Sequence, residues 1–212
     1  MTIDSAAVPF VVIALVPVAI AVWIAPPVVA VLLLLLPIGV GLFFRDPDRS
    51  PPTDPALVLA PADGRVMHAG VARPAEAPKG EWRQVTIFLS VFDVHINRTP
   101  IAGRIQKVLK LSGSFVAAFK PDSHQNERSE IWIEQDGVIV VVRQVVGLLA
   151  RRVVCRVVPG QVLAAGERIG LMKFGSRMDV FVPPSADVLV KTGDTVRAAE
   201  SVIARLAMES RA

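Results

Sequence analysis

Cysteine is almost absent from this chain of 212 residues, and Cys155 is the only example. A lone cysteine excludes a disulfide within the chain, so nothing in the sequence indicates an oxidising compartment. The Cys-x-x-Cys and His-Glu-x-x-His spacings of common zinc sites are also missing, and we predict no metal. The length allows one domain of ordinary size together with an accessory segment.

Charge is missing from a long N-terminal stretch, since no residue from Ala6 to Phe44 is charged. A hydrocarbon core about 30 Å thick needs about 20 apolar residues in one helix, and this run is nearly twice as long. Pro26-Pro27 stands at its middle and disfavours a continuous helix. We therefore predict a helical hairpin, Pro9–Ala25 and Val28–Phe44, that anchors residues 1–44 in a membrane. Each half is slightly short for a full span, so a hairpin within one leaflet, two spans and one bent span all remain open.

Positive charge returns directly after the apolar run. Arg45 and Arg49 follow it, which favours placing that end in the cytoplasm. A cleaved signal peptide is not expected, because no Lys or Arg precedes the run and the run is too long. From Arg45 onward the chain carries 23 Lys and Arg against 18 Asp and Glu, a formal net charge of 23 − 18 = +5. This excess suits an anionic lipid surface, although ordinary solubilising charge gives the same balance. We expect the body of the protein on the cytoplasmic side of a bacterial-type inner membrane.

The rest of the chain divides into a proline-rich linker, residues 45–55, and a folded domain, residues 56–212. Helical periodicity is scarce in this domain, whereas short runs rich in Val, Ile and Phe are bounded by Gly, Pro or Asp. Such runs predict strands of a mainly β (β-dominated α+β) domain. The predicted strands are Gln84–Val91, Ile131–Glu134, Val138–Val142, Arg152–Val158 and Met178–Val182. The segment Gly113–Glu130 is the least strand-like and is predicted to be a loop.

A weak internal repeat lies near the C-terminus. Residues 160–169 and 193–202 share the order Gly, Leu or Val, Ala, Glu, and Ile or Val at the same spacing. Each copy predicts a turn, a short strand, a second turn and a second strand, and two such units commonly share one core. The pattern resembles the barrel-sandwich arrangement of lipoyl and biotinyl carrier domains. The carrier lysine is missing between the copies, and Gly175-Ser176 stands there instead, which favours an enzyme over a carrier.

Gly175-Ser176 is a common turn dipeptide when it is taken alone. Here it lies between two strand-like runs, where a glycine can adopt strained dihedrals and leave its carbonyl open to attack. The hydroxyl of Ser176 can attack that carbonyl and convert the amide into an ester. Elimination across the serine then leaves dehydroalanine, which hydrolyses to an N-terminal pyruvoyl group and ammonia.

Three sequence elements resemble those of the phosphatidylserine decarboxylase family. They are Ala60–Val66 (APADGRV), Phe92–Pro100 (FDVHINRTP) and Phe174–Val180 (FGSRMDV), and Asn126–Arg128 resembles a fourth. The resemblance extends from Phe44 to about Val202, with the elements in the family's order. It is greatest to the short, membrane-anchored proenzymes that have a Gly-Ser-Arg cleavage site.

The resemblance implies a proenzyme that cuts itself between Gly175 and Ser176 into a β chain, residues 1–175, and an α chain, residues 176–212. Ser176 then becomes a covalent pyruvoyl cofactor. The implied reaction is the decarboxylation of phosphatidylserine to phosphatidylethanolamine and carbon dioxide, without a diffusible cofactor. The implied partners are a membrane phospholipid and the two fragments of the chain, with no nucleic acid. The oligomeric state stays open, and a homodimer is compatible with the sequence.

The resemblance also assigns roles to individual residues. Ser176 is the nucleophile, His95 the base that activates it, and Asp63 the group that orients or charge-stabilises this base. Longer family members have a second histidine three residues after the first, where this chain has Arg98. Arginine cannot act as a base, but Arg98 can bind the phosphate or carboxylate of the substrate. His68 and His124 are weaker candidates for the base.

Two alternatives remain open. Other pyruvoyl enzymes decarboxylate free amino acids or S-adenosylmethionine, but such substrates give no reason for the apolar run. A membrane-anchored adaptor with a lipoyl-like body would need coiled-coil heptads between the sandwich halves, and the sequence has none.

Overall fold

The computed structural model describes residues 1–148, 153–173 and 175–207. Its backbone separates into two compact units, Met1–Asp48 and Arg49–Ala212. Phe174 of the predicted cleavage motif and Arg152, the first residue of one predicted strand, lie outside the described residues.

The first unit is an apolar helical hairpin, as predicted. Helix α1 runs from Val8 to Ile24 and packs against α2 (Pro27–Leu33) and α3 (Leu35–Phe43). Pro26 takes an extended conformation before α2, and Pro27 occupies the first helical position, where its missing N–H costs no hydrogen bond. The break therefore falls at the predicted proline pair. Together with the preceding turn of 3-10 helix, Ser5–Ile24 is long and apolar enough to cross a membrane, with a mean hydropathy of 2.7.

A short strand pair closes this unit. Strand β1 (Thr2–Ile3) pairs antiparallel with β2 (Arg45–Asp46), so the chain segments before α1 and after α3 lie side by side. The backbone amide of Asp4 also donates to the carbonyl of Phe44 at 3.0 Å.

The second unit consists mainly of strands. They are β3 (Leu57–Leu59), β4 (Gly64–Val71), β5 (Arg83–Leu89), β6 (Ile96–Arg98), β7 (Gly103–Leu111), β8 (Arg128–Gln135), β9 (Val138–Val145), β10 (Val154–Cys155), β11 (Val162–Leu163), β12 (Arg168–Leu171), β13 (Ser176–Val182), β14 (Asp187–Val188), β15 (Thr195–Val196) and β16 (Val202–Arg205). An eight-stranded sheet has the order β11-β7-β8-β9-β13-β5-β4-β15. Two three-stranded sheets have the orders β10-β12-β6 and β14-β16-β3.

Apolar residues at every second position of the central strands form the core. Ile131 and Ile133 of β8, Val140 and Val142 of β9, and Met178 of β13 belong to one buried apolar cluster. Residues two apart on a strand share a face, so this face of the eight-stranded sheet is the inner one. The predicted mainly β class is confirmed. Strand β8 begins at Arg128 and so takes up the last residues of the predicted loop, because both β7 and β9 pair with it from Arg128 onward.

The repeat in the C-terminal part is confirmed in the backbone. The first strand of each copy, β11 or β15, joins an opposite end of the eight-stranded sheet. The second strand, β12 or β16, joins one of the two small sheets. Gly166 and Ala199 hold equivalent places in the second turns, and both have a positive φ, 77° and 62°.

The repeat unit also includes an earlier pair of segments that sequence analysis missed, Ala60–Val66 (APADGRV) and Thr99–Ile105 (TPIAGRI). Gly64 and Gly103 have φ values of 152° and 153°, and a Cβ on either would lie 2.1 Å or 2.3 Å from a carbonyl oxygen of the neighbouring strand. Arg65 and Arg104 each donate from the side chain to the carbonyl of a turn glycine in the matching copy. The second unit is therefore pseudo-twofold. Asp63 is present in one half, and Ala102 takes its place in the other.

Candidate active site

Backbone hydrogen bonds bring together the three motifs that the sequence analysis singled out. The amide of Arg98 donates to the carbonyl of Pro61 at 2.9 Å, which joins the histidine motif to the segment before Asp63. The amide of Met172 donates to the carbonyl of His95 at 3.2 Å, which joins the histidine motif to the chain before Gly175. The second contact continues the pairing of β6 with β12. Segments more than 100 residues apart in sequence thus meet at one place.

Gly175 and Ser176 stand where a turn enters a central strand. Gly175 has a φ of 70°, in the left-handed region that favours glycine, and a Cβ there would meet nothing within 4 Å. Ser176 is the first residue of β13, lies opposite Leu89 of β5, and is fully buried. Its Oγ donates to the carbonyl of Lys173 at 3.2 Å. The peptide bond between the two residues therefore joins a glycine with open space at its Cβ position to a serine that is fixed in a strand.

His95 is buried, and its ring has a defined orientation. Nδ1 lies 2.9 Å from the carbonyl oxygen of Asp93. A carbonyl only accepts, so a neutral ring in this position carries its proton on Nδ1 and presents a lone pair on Nε2. The Asp93 carboxylate accepts from the amide and the hydroxyl of Ser90, which fixes the turn that precedes His95.

Asp63 is held by a cation that sequence analysis did not assign to the site. Both carboxylate oxygens accept from Nη2 of Arg49, at 2.8 and 2.9 Å, and Oδ1 also accepts from the amide of Ala198 at 2.7 Å. The Arg49 side chain is only 2% exposed, and its Nη1 lies 3.4 Å from Glu200. In the sequence, Arg49 lies in the predicted linker. Only the general rule that a buried carboxylate needs a counter-charge could have indicated a cation near Asp63.

The remaining sequence candidates occupy separate places. Arg98 is partly buried, and its Nη1 donates to the carbonyl of Gly166 at 3.0 Å. His68 lies on β4 with Nε2 2.9 Å from the carbonyl of Val71, and His124 lies in a 3-10 turn, Pro121–Gln125. Among the described residues, no group of three or more His, Cys, Asp and Glu side chains has the geometry to hold a metal ion.

Arg177, the residue after Ser176, lies on the other face of β13. It is the centre of a buried ionic network. Its guanidinium donates to both oxygens of Asp179, at 2.8 and 3.0 Å, to Ser123 Oγ at 3.0 Å, and to Glu76. Thr86 Oγ donates to Asp179 at 2.8 Å. In the sequence, Arg177 is recognisable only as part of the cleavage motif. The structure shows that it ties two loops to the strand that begins at the serine.

The network shifts the pKa values of Glu76 and Arg177 so that the charged form of each is favoured. Burial alone would raise the pKa of Glu76, but the charge of Arg177 and hydrogen bonds from Gln84, Arg73 and Arg177 hold it below its ordinary value of 4.5. Burial alone would lower the pKa of Arg177, but Asp179 and Glu76 raise it. A carboxyl whose pKa falls on folding stabilises the fold above its unfolded pKa, and this contribution is lost as the pH falls through the folded value.

We expect Glu76→Gln to lower the free energy of unfolding by about 1.5–3 kcal/mol at pH 7, because Arg177 keeps its hydrogen bonds to Asp179 but loses its charge-assisted contact with Glu76. The difference from the parent protein should shrink as the pH falls below 4.5, where the unfolded chain takes up a proton, and should be lost once the pH is below the lowered pKa of folded Glu76. Urea unfolding of the full chain in detergent, at a series of pH values, measures both effects. Glu81→Gln, at an exposed position, is the matched control. A difference that stays constant from pH 7 to the acid limit would contradict this explanation.

Known proteins match most of the chain. The sequence profile of the phosphatidylserine decarboxylase family matches residues 39–204. A phosphatidylserine decarboxylase proenzyme from Solibacter usitatus is 46% identical over 184 residues, which cover 86% of this chain and 86% of the relative. The proenzymes of the same name from Nitrobacter winogradskyi and Trichlorobacter lovleyi are 47% and 42% identical, over 80% and 86% of this chain and 71% and 84% of the relatives.

Proposed function

This chain belongs to the phosphatidylserine decarboxylase family and is a decarboxylase of phospholipid biosynthesis, and we propose that it matures by cutting itself between Gly175 and Ser176. The observation that carries this proposal is the geometry at that bond. A glycine in the left-handed region, with open space where a side chain would lie, precedes a buried serine that is fixed at the start of a central strand. Such a site exposes one carbonyl to an adjacent hydroxyl while the strand holds the hydroxyl in place.

The proposed cut consumes one water and releases ammonia. Ser176 Oγ attacks the carbonyl carbon of Gly175, a C–O bond forms, and the C–N bond to Ser176 breaks, which gives an ester. Loss of the Ser176 Cα proton and cleavage of its Cβ–Oγ bond release the Gly175 carboxylate and leave dehydroalanine. Its imine tautomer takes up water and loses ammonia, and a pyruvoyl group remains at the new N-terminus.

Three polar residues are assigned to this step. His95 takes the proton of Ser176 Oγ, since a ring whose Nδ1–H donates to Asp93 offers Nε2 as the base. Asp63 stabilises the charge that develops on this base, and Arg49 and the Ala198 amide fix its carboxylate. Arg49 is thus a positioning residue, since it acts through Asp63.

In turnover, the pyruvoyl group supplies an electron sink when carbon dioxide leaves. The residues around Ser176 fit such a group, because the serine is enclosed while the Gly175 side is open to a substrate. Arg98 contributes a permanent positive charge for an anionic part of the substrate. His95 holds the proton that the product needs.

Two architectural features support the proposal. Strand β13 lies between β9 and β5, so the fragment from residue 176 onward would stay paired on both sides after the cut. The N-terminal helix is apolar and long enough to keep the protein at a bilayer, where the lipid substrate is dissolved. Arg45 and Arg49 follow the apolar run, and we assign the body to the cytoplasmic side on that basis.

Mass spectrometry of the purified protein tests the proposal. We expect a 175-residue fragment and a 37-residue fragment (212 − 175 = 37), the smaller one starting at former Ser176. Its N-terminus should resist Edman degradation and gain hydrogen on treatment with borohydride, because it is a ketone. A single uncut chain would favour an adaptor, and a free serine amine on the small fragment would exclude the pyruvoyl group.

A further inference from the structure

A row of polar residues crosses the inner face of the eight-stranded sheet. Lys110 pairs with Ser129, Ser129 with Gln144, and Gln144 with Met178, on adjacent antiparallel strands β7, β8, β9 and β13. Residues directly opposite each other in antiparallel strands share a face, and so do residues two apart on one strand. The row from Lys110 therefore lies on the same face as Ser176. Two strand spacings of about 4.8 Å, or roughly 10 Å in all, separate the backbones of β8 and β13.

The middle of this row is buried and incompletely bonded. Ser129, Gln144 and Asn97 are each at most 1% exposed. Gln144 Nε2 donates to Asn97 Oδ1 at 2.8 Å, which ties the row to the histidine motif, since Asn97 lies two residues after His95. Within the described segments, Ser129 Oγ, Gln144 Oε1 and Asn97 Nδ2 have no hydrogen-bond partner. A buried hydroxyl without a partner in the protein is a group that a ligand can satisfy.

The outer end of the row borders a cavity of about 340 Å³. Ser129 and Cys155 line it, and Lys110 and Arg128 bring two positive charges to it against the one negative charge of Glu127. Arg128 is fixed, because its Nη1 donates to the carbonyls of His124 and Asn126, whereas Lys110 is exposed. The lining therefore combines excess positive charge with a buried hydroxyl, which is the donor set of an anion site.

We propose that this cavity binds the phosphate of the phosphatidylserine head group, with Lys110 as the main charge and Ser129 Oγ as a hydrogen-bond donor. The proposal rests on the proposed function, because it names the subsite that holds the lipid while its serine part reaches Ser176. The cavity lies at the outer end of the row, on the face of the sheet that also carries Ser176. Asn97, bonded to Gln144, joins the middle of the row to the histidine motif. Arg98, at the end of β6, remains a second positive charge, and its side chain donates to the carbonyl of Gly166.

The test uses the uncut Ser176→Ala full chain in detergent, because this protein needs neither cleavage nor a pyruvoyl group to bind a ligand. Isothermal titration with glycerophosphoserine should show binding, and adding Lys110→Met should weaken it at least about tenfold, as expected for a lost charge-assisted contact. Ser129→Ala should weaken it by a smaller factor. Lys191→Met, at an exposed position in the other pseudo-symmetric half, is the matched control and should change nothing.

Three ligands show which part of the head group the cavity binds. Inorganic phosphate should compete with glycerophosphoserine, free serine should not, and only the phosphate-bearing ligands should lose affinity in Lys110→Met. In the mature enzyme the same substitution should raise the apparent KM for phosphatidylserine micelles about tenfold and leave kcat within about twofold. Equal affinity of Lys110→Met and Lys191→Met for glycerophosphoserine would overturn the proposal, as would no binding by the uncut chain at millimolar ligand. Neither result would bear on self-cleavage, which the mass of the purified protein decides by itself.

Discussion

Ser176→Ala should leave one chain of 212 residues with no measurable decarboxylase activity. Alanine has no hydroxyl to attack the carbonyl of Gly175, so neither the cut nor the pyruvoyl group can form. The effect should be all-or-none, because the substitution removes the source of the cofactor. An SDS gel reports the cut, and carbon dioxide release from phosphatidylserine micelles reports the activity.

The matched variant is Ser176→Cys, which keeps a nucleophile of similar size. It should still cut, through a thioester in place of the ester. Ser176 lies fully buried at the start of β13, and within the described residues its Oγ makes one hydrogen bond, to the Lys173 carbonyl, so alanine should disturb the fold little. Urea unfolding of the uncut protein checks this. If Ser176→Ala were still cut after residue 175, the nucleophile would lie elsewhere.

The sequence predicted the elements that depend on local patterns. The helical hairpin breaks at Pro26-Pro27 because proline restricts its neighbours wherever it occurs. The strands from Ile131 to Val142 were predictable because alternation and β-branched residues are local signals. The motifs around Asp63, His95 and Ser176 were visible as short strings of residues. Their meeting in space followed only from the resemblance, since no local pattern shows that β6 pairs with β12.

The parts that could not be predicted depend on how separate segments of the chain pack together. Arg49 lies in the proline-rich linker, and nothing in its neighbouring residues indicates that it meets Asp63. Arg177 looks like a motif residue in the sequence, yet its partner Glu76 lies about a hundred residues earlier. A one-residue shift in the pairing of β8 with β9 would move Ser129 to the other face of the sheet, and the polar row would no longer form. Such contacts are properties of the fold.

The pseudo-twofold arrangement explains where the site lies. Both halves have the glycine turns and the arginine-to-turn contacts, so these features serve the fold. Asp63 in one half faces Arg49 and the Ala198 amide, whereas Ala102 stands at the matching position of the other half. The two halves therefore share a scaffold and differ in the acidic group. This asymmetry makes Asp63 the side chain to test beside His95.

The last prediction separates maturation from turnover. We expect His95→Ala and Asp63→Ala to remain uncut, because the first removes the base and the second removes the charge that stabilises it. Arg98 cannot take a proton from Ser176, so Arg98→Ala should cut itself and then turn over phosphatidylserine poorly. The loss should lie mainly in apparent KM, about ten- to a hundredfold, for one missing charge-assisted contact of about 1.5–3 kcal/mol. Arg98→Lys, which keeps the charge, should recover part of it.

A second variant shows whether Asp63→Ala stays uncut only because it misfolds. Removing Asp63 alone leaves the buried Arg49 with only Glu200, 3.4 Å away, as a counter-charge, which costs up to about 3–5 kcal/mol and could by itself prevent processing. The double variant Arg49→Met with Asp63→Ala removes both charges, so it should fold and still remain uncut. If the double variant cuts normally, Asp63 serves only to balance Arg49. If Arg98→Ala stays uncut while His95→Ala cuts, the two roles are reversed, and Arg98 belongs to processing while His95 acts in turnover alone.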